Sequence, residues 1–166
     1  MELYLLRHAI AVPRGTEEYP NDDRPLTKVG IQKMKRAARG IARLIGKVDA
    51  VISSPLIRAL DTARIAGKAL GHRKKIVASN ALLPSSPASS IYDDLKKFKP
   101  QAKVLLVGHE PDLGLLASTL IGCEKPVVEL KKGGLCCITF SEVPLGSDGK
   151  LSWLLTPKQL RAFAKK

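Results

Sequence analysis

Aromatic residues are scarce in this 166-residue sequence, at 4%. That is few for a surface that binds nucleic acid by stacking bases. Cysteine is also sparse: Cys123, Cys136 and Cys137 make an odd set with two adjacent members, whereas a secreted disulfide framework uses an even, spaced set. Leu135, Ile138 and Phe140 around the adjacent pair read as a buried strand, so inert core thiols are expected. No apolar run approaches the ~20 residues of a membrane helix. The opening Met1-Glu2-Leu3-Tyr4 lacks the basic region and small-residue cleavage site of a signal peptide. The expectation is a soluble, cytoplasmic chain in a reducing compartment. Histidines are few and far apart (His8, His72, His109), with no paired spacing of the H-x-x-x-H kind, so neither a metal nor a cofactor is expected. There is no Walker loop. A cysteine phosphatase would need Arg six residues after its Cys; those positions hold Glu129, Glu142 and Val143.

Acidic residues are outnumbered, 15 against 28 Lys and Arg, for a net charge of +13. That surplus suits an anionic partner: a phosphate, an acidic protein or a nucleic acid. With 45% hydrophobic and 26% charged residues, the chain can bury a core, and disordered or collagen-like classes are excluded. No repeat, linker or low-complexity stretch interrupts it, so one domain over residues 1–166 is expected.

Short apolar runs alternate with helical patterns, which predicts an α/β domain. Residues 2–6, 48–53 and 103–107 are near-continuously apolar, as strands buried on both faces are. Between Thr27, a candidate N-cap, and Gly46, a candidate stop, Val29, Met34, Ala37, Ile41 and Leu44 recur near a 3.6 period. Ser54 and Pro55 read as N-cap and first residue of a second helix, carrying Leu56, Leu60, Ala63 and Leu70 to Gly71. A weaker strand is expected at 75–78, helices at 91–98 and from Pro111 to about Ile121, and added strands at 127–130, 135–140 and 151–155. Gly133-Gly134 and residues 146–149 read as turns, and Thr156-Pro157 starts a terminal helix.

Arg7-His8 follows the first strand, Gly108-His109 follows the 103–107 strand, and Arg58 sits in the first turn after the 48–53 strand. Open α/β sheets bind ligands beyond the carboxyl ends of their strands. A single His there is commonly a hydrogen-bonded structural residue. Two His and two Arg at three such ends form a set suited to a phosphoryl group, beside helix N-termini that favour anions.

Leu6-Arg7-His8-Ala9, Ser53-Ser54-Pro55-Leu56-Ile57-Arg58-Ala59 and Gly108-His109-Glu110-Pro111 closely resemble the histidine phosphatase superfamily, in the branch of the phosphoglycerate mutases. Arg24-Pro25-Leu26-Thr27 followed by Gly30 matches the segment those proteins place before their first helix. The short length and the order of the four blocks look most like the SixA-type phosphohistidine phosphatases. The resemblance covers nearly the whole chain. It implies a phosphoglycerate mutase-like three-layer α/β/α sandwich with a mostly parallel central sheet. It also implies that His8 is the nucleophile, forming a phosphohistidine enzyme that water hydrolyses. Arg7, Arg24 and Arg58 would grip the phosphoryl oxygens, and His109 would donate to the same group. Guanidinium forks match tetrahedral oxyanions bidentately, and nearby cations keep a nucleophilic imidazole neutral. The implied partner is a phosphohistidine-bearing protein, such as a phosphotransfer domain in signal transduction. The enzyme is expected to be a monomer, with no obligatory nucleic acid and no membrane.

Two departures from the family pattern bear on the substrate. Ala9 stands where the family usually has Gly, which narrows the approach to His8. The mutase-like relatives carry a Glu as general acid after the third strand; this chain has Ala81-Leu82-Leu83-Pro84. An alkoxide leaves badly unless protonated, whereas the imidazole of a phosphoramidate leaves easily. The missing acid favours a P–N substrate, although Asp22, Asp23, Glu110 and Asp112 lie in loops near the expected pocket. A general phosphoester phosphatase is the alternative within the family. Outside it, a non-enzymatic basic module is the other reading: the Arg36/Arg39/Arg43/Lys47 stripe and the Arg73-Lys74-Lys75, Lys96-Lys97-Lys99 and Lys131-Lys132 clusters would touch a phosphate backbone. A solvated helix face is the commoner explanation of such a stripe, and the clusters form no nucleic-acid motif.

Overall fold

The structure, a computed structural model, describes residues 1–141 and 148–164. Its centre is a sheet of six strands in the order β3-β2-β4-β1-β5-β6. These are β1 (Glu2–Arg7), β2 (Ala50–Ser53), β3 (Val77–Ala78), β4 (Lys103–Gly108), β5 (Leu135–Thr139) and β6 (Lys150–Leu155). The first four run parallel; β5 is antiparallel to β1, and β6 to β5. Alternation along each strand divides the side chains between two cores. Tyr4, Leu6, Val51, Leu105 and Val107 pack with α1 (Lys28–Ile45), α2 (Ile57–Ala69) and Leu160 of α5 (Pro157–Phe163). Leu3, Leu5, Ile52, Val104 and Leu106 pack on the other face with Leu95 of α3 (Tyr92–Leu95) and Leu113, Leu116 and Leu120 of α4 (Asp112–Leu120). Each fully buried aliphatic side chain contributes about 1.5–3 kcal/mol. This is the three-layer α/β/α sandwich expected from the sequence.

Helix α1 begins and ends as its sequence requires: the Thr27 hydroxyl accepts the Gly30 N–H, and Gly46 caps the other end. Gly30 and Gly40 answer to packing. A Cβ on Gly30 would collide with the Ile10 carbonyl, and one on Gly40 with the Leu160 carbonyl.

Four expectations need correction. Helix α2 starts at Ile57 with Leu56 as an uncapped N-cap; the Ser54 hydroxyl instead accepts the Leu56 N–H at 3.3 Å, leaving Pro55 in a tight turn. Residues 127–130 are not a strand. The Ser118 hydroxyl takes the Val127 and Val128 N–H groups, and Glu110 takes that of Leu130, so none of the three pairs with a neighbouring strand. The 91–98 helix is a 3₁₀ turn (Ala88–Ile91) followed by the four-residue α3, which ends where the Phe98 N–H turns back to the Leu95 carbonyl at 3.1 Å in a tightened three-residue turn. The third strand shrinks to the two exposed residues of β3 at the sheet edge. The turn expected at 146–149 falls partly outside the described residues.

Cys136 and Cys137 are buried free thiols, pushed up to about 12 and about 11 chiefly by that burial, as the inert-core reading requires; Cys123 is free and half-buried. Among the described residues, no helix is long and apolar enough to cross a membrane.

Candidate active site

Parallel pairing brings the carboxyl ends of β1, β4 and β2 to one rim. Arg7 pairs with Gly108 in the β1–β4 register, so His8 and His109 leave the sheet side by side. The His8 N–H donates to the Gly108 carbonyl at 3.0 Å, and the Ser54 N–H to the Val107 carbonyl at 2.9 Å. The two imidazoles lie 5.1 Å apart between ring centroids, inclined at 56°. Arg7, His8, Arg24, Arg58 and His109, named from widely separated stretches of sequence, all line one cavity of about 450 Å³. His72 lies elsewhere, half-buried beside Gly67.

The orientation of His8 follows from one bond. Its Nδ1 lies 2.7 Å from the Ala9 carbonyl oxygen. A carbonyl only accepts, so Nδ1 carries the proton and Nε2 keeps its lone pair. Burial lowers the His8 pKa to about 4, helped by the charges of Arg58, Arg7 and Lys132 and opposed by the bond to Ala9. The ring is therefore neutral at pH 7. His109 is lowered to about 3, first by burial and then by nearby His8 and Arg58. Its Nε2 lies 2.8 Å from the Ser54 hydroxyl. Among the described hydrogen bonds that hydroxyl has no acceptor other than Nε2, which assigns its proton there and the His109 proton to Nδ1.

Arg58, 1% exposed, is held by Asp22: one guanidinium nitrogen donates to its carbonyl at 2.7 Å and another to its carboxylate at 2.9 Å. Arg24 also donates to that carboxylate, at 3.1 and 3.3 Å, and to the Val12 carbonyl at 2.6 Å. Arg14 stands 3.6 Å from it. Burial would raise the Asp22 carboxyl, but the bonds from Arg58 and Arg24 hold it below the ordinary carboxylate range. Arg7 donates to the Leu130 carbonyl at 2.7 Å. Three buried donors, Arg7 Nε, Arg58 Nε and His109 Nδ1, have no acceptor among the described residues. Such groups are costly unless a ligand or water takes them. One comes from each of the three strand-end segments, and an oxyanion is the ligand such donors suit.

Two supporting residues escaped the sequence reading. Ser54, read there as a helix cap, orients His109. Thr62 accepts the Ala9 N–H at 3.0 Å and donates to the Arg58 carbonyl at 2.7 Å, clamping the turn after His8 onto α2. The signal for Thr62 was its position one turn beyond Arg58. Of the loop carboxylates, Glu110 accepts the Leu130 N–H at 2.9 Å and Asp112 the Ser85 N–H at 3.0 Å. Burial raises Glu110 above the ordinary range, against the backbone N–H groups of Leu130 and Gly114 and the charge of Arg7. Pro84 and Ser85 stand at the cavity where mutase-like proteins were expected to offer an acid. Among the described residues, no cluster of three or more His, Cys, Asp and Glu side chains forms a metal-ligating group.

The chain is similar to known proteins in sequence and in fold. Residues 3–82 match the family model of the histidine phosphatase superfamily (branch 1). An uncharacterized protein of the cyanobacterium Picosynechococcus is 34% identical over 165 residues, covering 96% of this chain and 99% of its own. Phosphohistidine phosphatase SixA of Escherichia coli is 23% identical, with 97% of each chain covered. In three dimensions, the protein histidine phosphatase SixA complexed with tungstate superposes with a TM-score of 0.83 at 23% identity, over 96% of this chain and 99% of that one. A phosphoserine phosphatase from Entamoeba histolytica, bound to phosphoserine, superposes at 0.68 with 18% identity, over 96% and 98%.

Proposed function

The chain belongs to the histidine phosphatase superfamily, and from that premise we propose that it hydrolyses phosphohistidine on a protein through a phospho-His8 intermediate. His8 Nε2 attacks phosphorus as the substrate P–N bond breaks, and the departing imidazole leaves neutral with its ring proton. Arg7, Arg24, Arg58 and His109 hold the transferring group and take up charge on its equatorial oxygens. Water then adds to phosphorus, the P–Nε2 bond breaks, and the water proton leaves with inorganic phosphate. Positioning and charge stabilisation suffice for this chemistry, and no residue of the site asks for a metal.

The preference for a P–N bond rests on the carboxylates. Asp22 is engaged by Arg58 and Arg24, Glu110 by the Leu130 N–H and Asp112 by the Ser85 N–H. Each acts as an acceptor here, which favours a leaving group that needs no proton. SixA of Escherichia coli, named for phosphohistidine, is related along 97% of both chains, which supports the same reading.

Turnover of phosphohistidine and phosphoramidate beside a series of aryl and alkyl phosphates tests it. The expected order is P–N compounds first, then phenols of low pKa, with alkyl phosphates poorest, and the rate rising steeply as leaving-group pKa falls. Acid-labile, base-stable phosphate on His8 should be trapped on quenching, and His8→Ala should abolish both. A rate independent of leaving-group pKa, lost in Glu110→Gln, would instead make Glu110 a general acid and the protein a general phosphoesterase.

A further inference from the structure

A second groove, of about 390 Å³, begins at Ala9, the residue after His8, and shares Lys132 with the catalytic cavity. Its apolar lining is Ile10, Met34, Ala37 and Pro157, and its charged lining is Lys33, Lys131, Lys132, Lys158 and Arg161. Among the described residues, no acidic side chain lines it. None of these five cations takes part in an ion pair among the described residues. They come from α1, the turn before β5 and α5, so the fold gathers charges that looked scattered in the sequence. Unrelieved like charges around an apolar floor repel one another, and an anionic occupant removes that repulsion.

We infer that this groove is the docking site for an acidic segment of the phosphoprotein substrate, with an apolar side chain seated on the half-buried Ile10 and Pro157 while the phosphorylated imidazole reaches His8. The inference rests on the phosphohistidine reading above. The occupant is polypeptide of the substrate because the groove starts one residue from the nucleophile and Lys132 borders both spaces. A free phosphate or small phosphoramidate fills the catalytic cavity alone. A lining that combines cationic and apolar side chains suits a partner that is both acidic and apolar.

Two histidine-phosphorylated peptides of equal length test the site: one flanked by Glu and Leu, the other with Gln in place of every Glu. At low salt, kcat/KM should favour the acidic peptide by about tenfold through KM, with kcat alike. The double variant Lys33→Glu/Arg161→Glu should erase that preference while leaving Tm and phosphoramidate turnover unchanged. Should the charge reversal unfold the chain, Lys33→Gln/Arg161→Gln serves in its place. Equal turnover of the two peptides by the wild type, or a preference that survives in the variant, overturns the inference. So does a uridine oligonucleotide that binds the wild type but not the variant while the two peptides remain indistinguishable; the groove would then serve nucleic acid. Failure of the wild type to turn over phosphoramidate overturns the phosphohistidine reading itself, and the groove assignment falls with it.

Discussion

His8 has to be neutral to attack phosphorus, and burial is the first reason that it is, ahead of the neighbouring cations. The pH dependence follows. Turnover, corrected for spontaneous hydrolysis, should stay level down to about pH 5 and fall as His8 takes a proton near its pKa of about 4. Stability carries the same sign. An unfolded His titrates near ~6.5, so from there down to about 4 the unfolded chain binds more protons than the folded one. The stabilisation is complete above ~6.5 and lost as the pH falls through the folded value. Thermal melts should show Tm declining across that window, less steeply in His8→Ala. Arg58→Ala removes the most buried clamp and should lower kcat by about 10²–10³-fold, in the range of losing one transition-state donor. An Arg58→Ala enzyme with near-normal kcat would place the phosphoryl group elsewhere. Arg7, His8, Arg58 and His109 were legible because each sits in a short motif at a strand end, and Arg24 because it opens the family motif before α1. Ser54 and Thr62 were not, because what they orient lies 55 and 53 positions away in the chain.

Among the elements, α1 is held against its neighbours at two glycines with different consequences. Gly30 lets the first turn of α1 press on the Ile10 carbonyl, which also receives the Thr27 N–H at 3.0 Å, and this contact fixes the loop leaving His8. Gly40 does the same for α5, against Leu160, further along α1 from the catalytic-loop contact. Alanine at either position should cost about 1–3 kcal/mol by overpacking. Gly30→Ala should also lower kcat on phosphoramidate, whereas Gly40→Ala should lower Tm and leave that kcat near wild type. Equal kcat losses would mean that α5 supports the catalytic loop as directly as α1 does. The long, strongly patterned elements were readable from the sequence: β1, β2, β4 and α1 lie within two residues of expectation. Residues 127–130 misled because an apolar, β-branched run predicts a strand only when a neighbour supplies backbone partners. Here Ser118 and Glu110 supply them instead. Ser54-Pro55 misled because two local roles compete for one hydroxyl, and the turn with His109 prevails over the helix cap.

At the scale of the molecule, a net charge of +13 sets up a long-range field, to which the cations of the active site and the adjoining groove contribute beside the nucleophile. The sequence disclosed the size of this surplus but not its placement, because Lys33, Lys131 and Arg161 come together only when α1, β5 and α5 pack. A field of this kind acts on encounter rather than on chemistry. Once the phosphoryl group is seated, the charges that matter are buried and close, beyond the reach of a Debye length of ≈ 8 Å at physiological salt. Raising the salt should therefore lower kcat/KM for an acidic phosphoprotein while kcat hardly changes. Phosphoramidate, small and carrying little charge, should show a shallower salt slope than the protein substrate. Stopped-flow or initial-rate measurements across ~0.05–0.5 M salt separate the two. Parallel slopes for both substrates would mean that only the cavity's own arginines are felt. A flat kcat/KM for the protein substrate would return the surface lysines to the role of solvated charge.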